Sequence, residues 1–214
     1  MKKIFLVMIF LFFTHNLNAI EEGKEYIALK NPIPNTPNSV VELFNYACIY
    51  CYKHHEGETL AKIKQKLPNM DYFSIPIKFG AYGSDFARLY VYAITQDDKN
   101  KLDATSNKGL GYKLKDAYFT AVFKRRMNWN NGANPIAFYE IGYKIMGINK
   151  SILDDFMSKT QAITLFNSFD DYINIASQSG TPAYIINGKY QIILENIDSL
   201  DHFIDTIIYL SKLK

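Results

Sequence analysis

The amino-acid sequence predicts an α/β domain in which a helical block separates two groups of strands. Strand-forming residues around position 42 are followed by a helical pattern and then by a second strand pattern. The region from 84 to 178 carries helix signals and no convincing strand. After it, Asn187-Gly188 stands between two short apolar runs, as in a hairpin, and an amphipathic pattern follows. A mixture of this kind is typical of a sheet packed against helices.

The first group of elements is marked by its apolar residues and prolines. Apolar residues occupy both faces of 38–46, apart from Glu42 and Asn45, which indicates a central strand. The helical rhythm that follows ends at Pro68. In chain order, we predict an edge strand over 25–29, the central strand over 38–46, one helix over 48–67 and a strand over 70–79.

The second group consists of the helical block and the closing hairpin. The helix beginnings in the block are predicted from capping residues: Ser84, Asn134 with Pro135, and Ser151 with Asp154. The second of these helices is predicted to end at Gly147. Hairpin strands are predicted over 183–186 and 190–194, and an amphipathic helix closes the chain.

The composition fits one globular domain. The chain has 214 residues, 48% of them hydrophobic and 15% aromatic, which is enough for a sizeable core and excludes a disordered chain. The formal net charge of +3 includes Lys2 and Lys3, so the remainder is close to neutral. No basic stripe indicates nucleic-acid binding.

Residues 1–19 have the pattern of a secretory signal peptide. Two lysines precede an apolar run over 4–13, and a more polar stretch ends at Ala19. The apolar run is too short to span a bilayer, although a membrane anchor or a buried first helix is the alternative interpretation. We expect the mature chain to begin at about Ile20 and to work in an oxidising compartment.

The two cysteines of the chain, Cys48 and Cys51, have the spacing of a redox pair at the start of a helix. A structural disulfide is one alternative, but so small a ring adds little stability in the loop-entropy view. Copper or zinc binding by these cysteines with His54 and His55 is another. A continuous helix does not readily bring four such side chains around one metal ion.

Two segments carry a resemblance to a known family. Residues 41–52 read VELFNYACIYCY and residues 180–190 read GTPAYIINGKY, and together they resemble the DsbA family of secreted thiol:disulfide oxidoreductases. The likeness extends to 23–26, to 66–68 and to the position of the helical block. It implies a thioredoxin fold with a helical insertion at about 84–178, within a DsbA-like domain over 20–214.

The resemblance also implies a function. The protein would be a monomeric periplasmic oxidase that donates its disulfide to reduced exported polypeptides, with no nucleotide, haem or metal cofactor. A quinone-linked membrane protein of the DsbB type would reoxidise it. An isomerase or reductase is the alternative with the same chemistry, and we expect such a protein to carry a separate dimerisation segment, for which the stretch before Glu25 leaves no room. A metal chaperone is the alternative from a different class.

Three residues are predicted to carry the chemistry. Cys48 would lie at a helix N-terminus, where free N–H groups and the helix dipole favour the thiolate, and would be the nucleophile. Cys51 would be the buried resolving thiol. Glu42 matches the buried acid of thioredoxin-like proteins, and burial in an apolar strand is predicted to raise its pKa and suit it to relay a proton. A solvated glutamate at the strand end is the alternative.

Further residues are assigned to substrate binding and tuning. Pro182 matches the cis-proline that faces the redox pair in the family, so Thr181 would offer strand-type hydrogen bonds to an extended substrate. Ile49 and Tyr50 replace the Pro-His of the best-known oxidants and would adjoin the substrate. His55 replaces an acid and would tune the pair, unless it is a surface residue.

Overall fold

A computed structural model describes residues 20–213 of the chain, so the predicted signal peptide over 1–19 lies outside the described residues. The strands are β1 (Tyr26–Ala28), β2 (Ser39–Phe44), β3 (Asp71–Pro76), β4 (Ala183–Ile186) and β5 (Tyr190–Ile192). The α-helices are α1 (Ile49–Glu56), α2 (Thr59–Lys66), α3 (Gly83–Lys99), α4 (Leu110–Phe119), α5 (Pro135–Met146), α6 (Lys150–Met157), α7 (Thr160–Ser168), α8 (Ile173–Ser179) and α9 (Leu200–Ser211). The α/β class with helices inserted between β3 and β4 is confirmed.

The strands form one five-stranded sheet in the order β1-β5-β4-β2-β3. β2 pairs in parallel with β3 and antiparallel with β4, which makes it the fully buried strand that its apolar pattern predicts. The register places Glu42 directly opposite Ser74 on one side and opposite Tyr184 on the other. Because directly paired residues point to the same face of a sheet, these three polar side chains are neighbours.

Two apolar clusters hold the helices to the sheet. One joins strand residues to the inserted helices and includes Leu43, Phe44, Phe86, Tyr118 and Phe138. The other joins strand residues to α2 and α9 and includes Val40, Ile63, Tyr184, Phe203 and Ile207. Cys51 belongs to the first cluster, so the start of α1 is fixed by packing against the core. No helix within 20–213 combines the length and the apolar composition that crossing a bilayer requires.

The single helix predicted over 48–67 is wrong, because the chain forms two helices there. α1 ends at Glu56, and Glu58 then takes a left-handed backbone conformation with φ of 51° before α2 begins. A left-handed residue interrupts the helical hydrogen-bond ladder. Leu60 and Ile63 both lie in α2, so their apolar spacing gives no sign of the break before that helix.

Two of the predicted caps are also wrong. α3 begins at Gly83 after Tyr82, so the Ser84 side chain does not cap it. At α6, the side chain of Asn149 accepts the hydrogen bond from the Ile152 N–H, so the cap lies two residues before the predicted Ser151. The Asp154 of that predicted box lies further along the helix and pairs with Lys150, four residues before it.

The remaining caps and the hairpin agree with the sequence. Asn134 caps α5 by accepting a hydrogen bond from Ala137, and Gly147 ends that helix in the left-handed region. Asn187 and Gly188 have φ of 55° and 65° in the turn between β4 and β5. Asparagine and glycine adopt such angles with less strain than other residues, which is why they predict a hairpin.

Candidate active site

Cys48 occupies the cap position at the N-terminus of α1. Its backbone is extended, with φ of −90° and ψ of 119°, and its carbonyl accepts the first helical hydrogen bond from Tyr52 at 3.0 Å. Its Sγ accepts a hydrogen bond from the Cys51 N–H at 3.3 Å. The sulfur therefore takes the place that a serine or aspartate oxygen takes in an ordinary helix cap, where negative charge is favoured.

The segment before β4 lies against this sulfur. In its thiol form, Cys48 Sγ donates to the Thr181 carbonyl oxygen at 3.0 Å, and the Thr181–Pro182 peptide is cis, as expected. A surface pocket of about 240 Å³ opens beside the sulfur. Its lining consists of Asn45, Ala47, Cys48, Phe79, Ala176, Gly180 and Thr181. The sulfur of Cys48 is therefore reachable from this pocket, beside the backbone that precedes Pro182.

The two cysteines are free thiols with opposite electrostatic environments. A hydrogen bond from the Cys51 thiol, together with the Thr181 side chain and backbone N–H groups, outweighs burial and lowers the pKa of Cys48 to about 6. Burial, followed by the proximity of Cys48, raises the pKa of Cys51 far above its usual range. At neutral pH, Cys48 is therefore mainly thiolate and Cys51 is a neutral thiol.

Glu42 is buried, with 1% of its surface exposed, so it is not a solvated residue at the strand end. Its Oε2 accepts hydrogen bonds from Ser74 Oγ at 2.7 Å and from Lys115 Nζ at 2.5 Å. Lys115 Nζ also donates to Ser74 Oγ at 3.1 Å. The three side chains form a closed buried network.

The predicted direction of the Glu42 pKa is wrong. Burial acts to raise this pKa, as expected, but the charge and the hydrogen bond of Lys115 and the hydrogen bond of Ser74 outweigh it and lower the pKa. Lys115 comes from α4, in the helical insertion, and sequence reasoning missed it. The available signal was its position on a helix face that it shares with Tyr118 and Phe119, three and four residues later.

His54 and His55 point to different parts of the molecule. His54 Nδ1 lies 3.0 Å from the hydroxyl of Tyr184, a fully buried residue that sequence reasoning also missed. His55 is buried, and its Nε2 lies 3.2 Å from Asp116 Oδ1 on α4. Burial lowers the pKa of both histidines. Within 20–213, no group of three or more His, Cys, Asp or Glu side chains is placed to hold a metal ion.

The two residues between the cysteines face solvent beside the redox pair. Ile49 is 43% exposed and Tyr50 is 63% exposed, which is unusual for large apolar side chains at the start of a helix. Lys53 Nζ lies 5.5 Å from the centre of the Tyr50 ring. The exposed face next to Cys48 is thus apolar and aromatic.

The chain is similar in sequence to thiol:disulfide interchange proteins. The chain is 27% identical to the thiol:disulfide interchange protein DsbL of Escherichia coli O6:H1, over 89% of this chain and 86% of that protein. It is 25% identical to the thiol:disulfide interchange protein DsbA of Escherichia coli (strain K12), over the whole of both chains. No family model matches the chain.

Solved structures show the same fold. The DsbL crystal structure from Salmonella enterica serovar Typhimurium superposes with a TM-score of 0.83 at 26% identity, covering 92% of this chain and 99% of that one. A DsbA from Proteus mirabilis, solved with a non-covalently bound peptide, gives a TM-score of 0.66 at 19% identity, over 91% of this chain and 100% of that one. The predicted thioredoxin fold with inserted helices is confirmed.

Proposed function

The chain belongs to the DsbA family of thiol:disulfide oxidoreductases in the thioredoxin superfamily, and from that premise we propose that it is a periplasmic dithiol oxidase. It donates the disulfide between Cys48 and Cys51 to reduced exported polypeptides. The observation that carries this proposal is the position of Cys48 Sγ at the N-terminus of α1, where it accepts the Cys51 N–H at 3.3 Å and where its pKa is lowered to about 6. A low thiolate pKa stabilises the reduced protein and so makes its disulfide a strong oxidant.

The reaction consists of two thiol exchanges. A substrate thiolate attacks Cys48 Sγ, the bond between Cys48 and Cys51 breaks, and Cys51 leaves and takes up a proton. A second substrate thiolate then attacks the substrate sulfur of the mixed disulfide and expels Cys48 as a thiolate. Two electrons pass from the substrate to the cysteine pair. Of the two substrate thiol protons, one ends on Cys51 and the other is released.

Each sulfur suits its step. Cys48 is the accessible sulfur and the better leaving group, because its thiolate is stabilised by the N-terminus of α1. Cys51 is fully buried, so it reacts only with the neighbouring Cys48, as the resolving thiol in the reverse direction. In this scheme Glu42 relays the proton that Cys51 gains or loses, and Lys115 sets the charge of that relay.

The substrate lies as an extended strand beside Thr181 and Pro182, with its apolar side chains against Ile49 and Tyr50. The peptide bound to the DsbA of Proteus mirabilis supports a polypeptide as the ligand. The Thr181 backbone precedes β4 and is available for strand-type pairing. His55 lies on α1 and contacts Asp116 on α4, and through this contact it tunes the cysteine pair.

The cellular setting completes the proposal. Residues 1–19 act as a cleaved export signal, and the domain over 20–214 works in the periplasm as a monomer, with the helical insertion at about 84–178. A membrane quinone reductase of the DsbB type reoxidises the cysteine pair. No nucleotide, haem or metal takes part.

The decisive experiment is the redox equilibrium of the cysteine pair against glutathione, measured by alkylation and mass spectrometry. We expect a potential well above that of thioredoxin, which is about −270 mV. A value near that of thioredoxin would identify a reductase and contradict the oxidase proposal. Native mass spectrometry tests the metal chaperone: one bound copper or zinc ion that survives dialysis would favour it over the oxidase.

A further inference from the structure

The buried Cys51 needs a proton at a defined moment of the proposed reaction. When the bond to Cys48 breaks, Cys51 leaves as an anion in a site where none of its surface is exposed. Burial raises its pKa far above the usual thiol range, so the anion must be protonated rapidly. During reoxidation the same proton must leave. In each catalytic cycle, therefore, one proton must reach Cys51 and later return to solvent.

Glu42 alone cannot complete this transfer, because it is sealed from solvent. Only 1% of its surface is exposed, and Lys115 and Ser74 both hold the same carboxylate oxygen, Oε2. Despite its burial, the charge of Lys115 lowers the pKa of Glu42, so its protonated form is short-lived at neutral pH. A proton that passes through Glu42 needs a further group that reaches the surface.

Tyr184 and His54 are placed to be that connection. Tyr184 is the cross-strand partner of Glu42, and its hydroxyl lies 3.0 Å from His54 Nδ1. Burial raises the pKa of Tyr184, and the charges of Glu42 and Cys51 and a hydrogen bond with Glu42 raise it further. His54 follows Cys51 by three residues, so both side chains lie on the same side of α1.

His54 also borders two spaces of very different size. On its inner side it lines, together with Glu42 and Lys115, a cavity of about 20 Å³, which is room for about one water molecule. On its outer side it lines an open surface cleft of about 330 Å³ next to α9. The imidazole therefore stands between the buried network and solvent.

The charge of His54 suits a proton carrier. Burial lowers its pKa, the negative charge of Glu42 opposes that shift, and the positive charge of Lys115 adds to it. The titratable groups around it are Glu42 on β2, Tyr184 on β4, Lys115 and Tyr112 on α4, His55 on α1, Glu58 between α1 and α2, and Asp198 at the surface cleft before α9. A mostly neutral imidazole can accept a proton from either side.

We propose that His54 and Tyr184 form the proton route between solvent and the buried cysteine. In the oxidising direction, solvent protonates His54, its Nδ1–H passes to Tyr184 Oη, and the Tyr184 hydroxyl proton passes to Glu42, from which Cys51 takes it. Reoxidation runs the same transfers outward. Neither residue touches the substrate, so both act as positioning residues that conduct the proton to and from Cys51. The inference rests on the proposed function of the cysteine pair.

The test uses Tyr184→Phe and His54→Ala in the otherwise unchanged chain. Oxidised protein is reduced by a small dithiol in a single turnover, from about pH 5 to about pH 8, where histidines titrate. Rapid alkylation and mass spectrometry count the thiols. We expect both variants to lower the rate of Cys48–Cys51 cleavage by on the order of tenfold or more, because positioned proton transfer commonly contributes about a hundredfold. After division by the thiolate fraction of the dithiol, the wild-type rate should still depend on pH, and this remaining dependence should be absent in His54→Ala.

Matched controls and chemical rescue separate proton transfer from structure. His202→Gln removes a histidine of α9 that pairs with Asp198, and Tyr72→Phe removes a buried hydroxyl that donates to the Leu67 carbonyl. Both should react at the wild-type rate. Added imidazole should restore His54→Ala through the surface cleft, which a merely structural loss would not allow.

The outcomes distinguish the route from the function itself. If His54→Ala and Tyr184→Phe keep the wild-type rate and pH profile, or if imidazole gives no rescue, the route is wrong while the oxidase proposal stands. If the wild-type protein itself has a potential like that of thioredoxin, the proposed function fails, whatever these variants do. Rate loss with imidazole rescue and an unchanged alkylation rate of reduced Cys48 supports the route.

Discussion

Cys48 and Cys51 are separated by two residues and lie in opposite environments. Cys48 is half-buried at the cap of α1, beside the Thr181 carbonyl and an open pocket. Cys51 is one turn further into the helix, fully buried in the core cluster. The pKa of Cys48 falls to about 6, whereas that of Cys51 is raised strongly by burial.

The difference shows how position in one helical turn sets reactivity. At the cap, backbone N–H groups have no helical partner and are free to stabilise a thiolate. One turn later, the side chain points into the core, and desolvation decides its charge. In the proposed reaction, this contrast sets the direction of exchange: Cys48 reacts with the substrate, and Cys51 reacts only with Cys48. The predictions below test this contrast, in order of decreasing effect.

Replacing the two cysteines separately should give the largest and most unequal effects. We expect Cys48→Ser to abolish both oxidation of thiol substrates and reduction of insulin, because no accessible sulfur remains. Cys51→Ser should retain the first exchange and accumulate mixed disulfides, because the resolving sulfur is missing. Non-reducing electrophoresis after acid quenching detects these adducts. Full activity of the Cys48→Ser protein would show that the nucleophile is assigned wrongly.

Breaking the buried ion pair of Glu42 and Lys115 should have the next largest effect. Lys115→Met leaves the Glu42 carboxylate buried without its partner, and the free energy of unfolding should fall by about 3–5 kcal/mol. In this variant burial raises the pKa of Glu42, so the loss is greatest above that pKa and diminishes at lower pH, where the carboxyl is neutral. Urea unfolding at several pH values measures it.

The same helix provides a control for that variant. Lys113→Met removes an exposed lysine of α4 and should leave the stability nearly unchanged. The double variant Glu42→Leu with Lys115→Met should recover most of the loss, because no unpaired charge remains. Equal effects of Lys113→Met and Lys115→Met would mean that the buried pair does not stabilise the fold.

The lowered pKa of Cys48 predicts a specific pH dependence. The reduced protein gains stability from the thiolate that is complete above about pH 8.5, the range of an ordinary thiol, and is lost as pH falls through about 6. The redox potential should change by about 30 mV per pH unit above that pKa and by about 60 mV below it, because reduction takes up one proton or two. A single slope of about 60 mV up to pH 8 would place the pKa of Cys48 much higher.

Removing the Thr181 hydroxyl should change the pKa of Cys48 by a smaller amount and leave Cys51 in place. The Thr181 hydroxyl helps to lower the pKa of Cys48, although the hydrogen bond from Cys51 contributes more. Thr181→Val should raise this pKa by up to about one unit, the equivalent of one hydrogen bond. Ultraviolet absorbance of the thiolate measures it. Thr95→Val, which loses a hydroxyl bonded within α3, should leave the pKa unchanged.

A large part of the site was predictable from local pattern. The cap position of Cys48 follows from the start of a helix at a strand end, and the cis Thr181–Pro182 peptide was expected from the family motif. The pKa of Glu42 was not, because its sign depends on Lys115, which is 73 residues away in the chain. The capping box predicted from the spacing of Ser151 and Asp154 was also wrong, because Asn149 caps that helix instead.

The sequence by itself determined the α/β class and the place of the helical insertion, and it picked out the candidate redox pair and Pro182, because periodicity, turn residues and short motifs are local. Only the tertiary structure decided which charges surround Glu42, where α1 breaks at Glu58, and how His54 meets Tyr184. Those contacts join residues far apart in the chain, and their energies depend on burial and distance. Neither burial nor distance can be read from the amino-acid sequence alone.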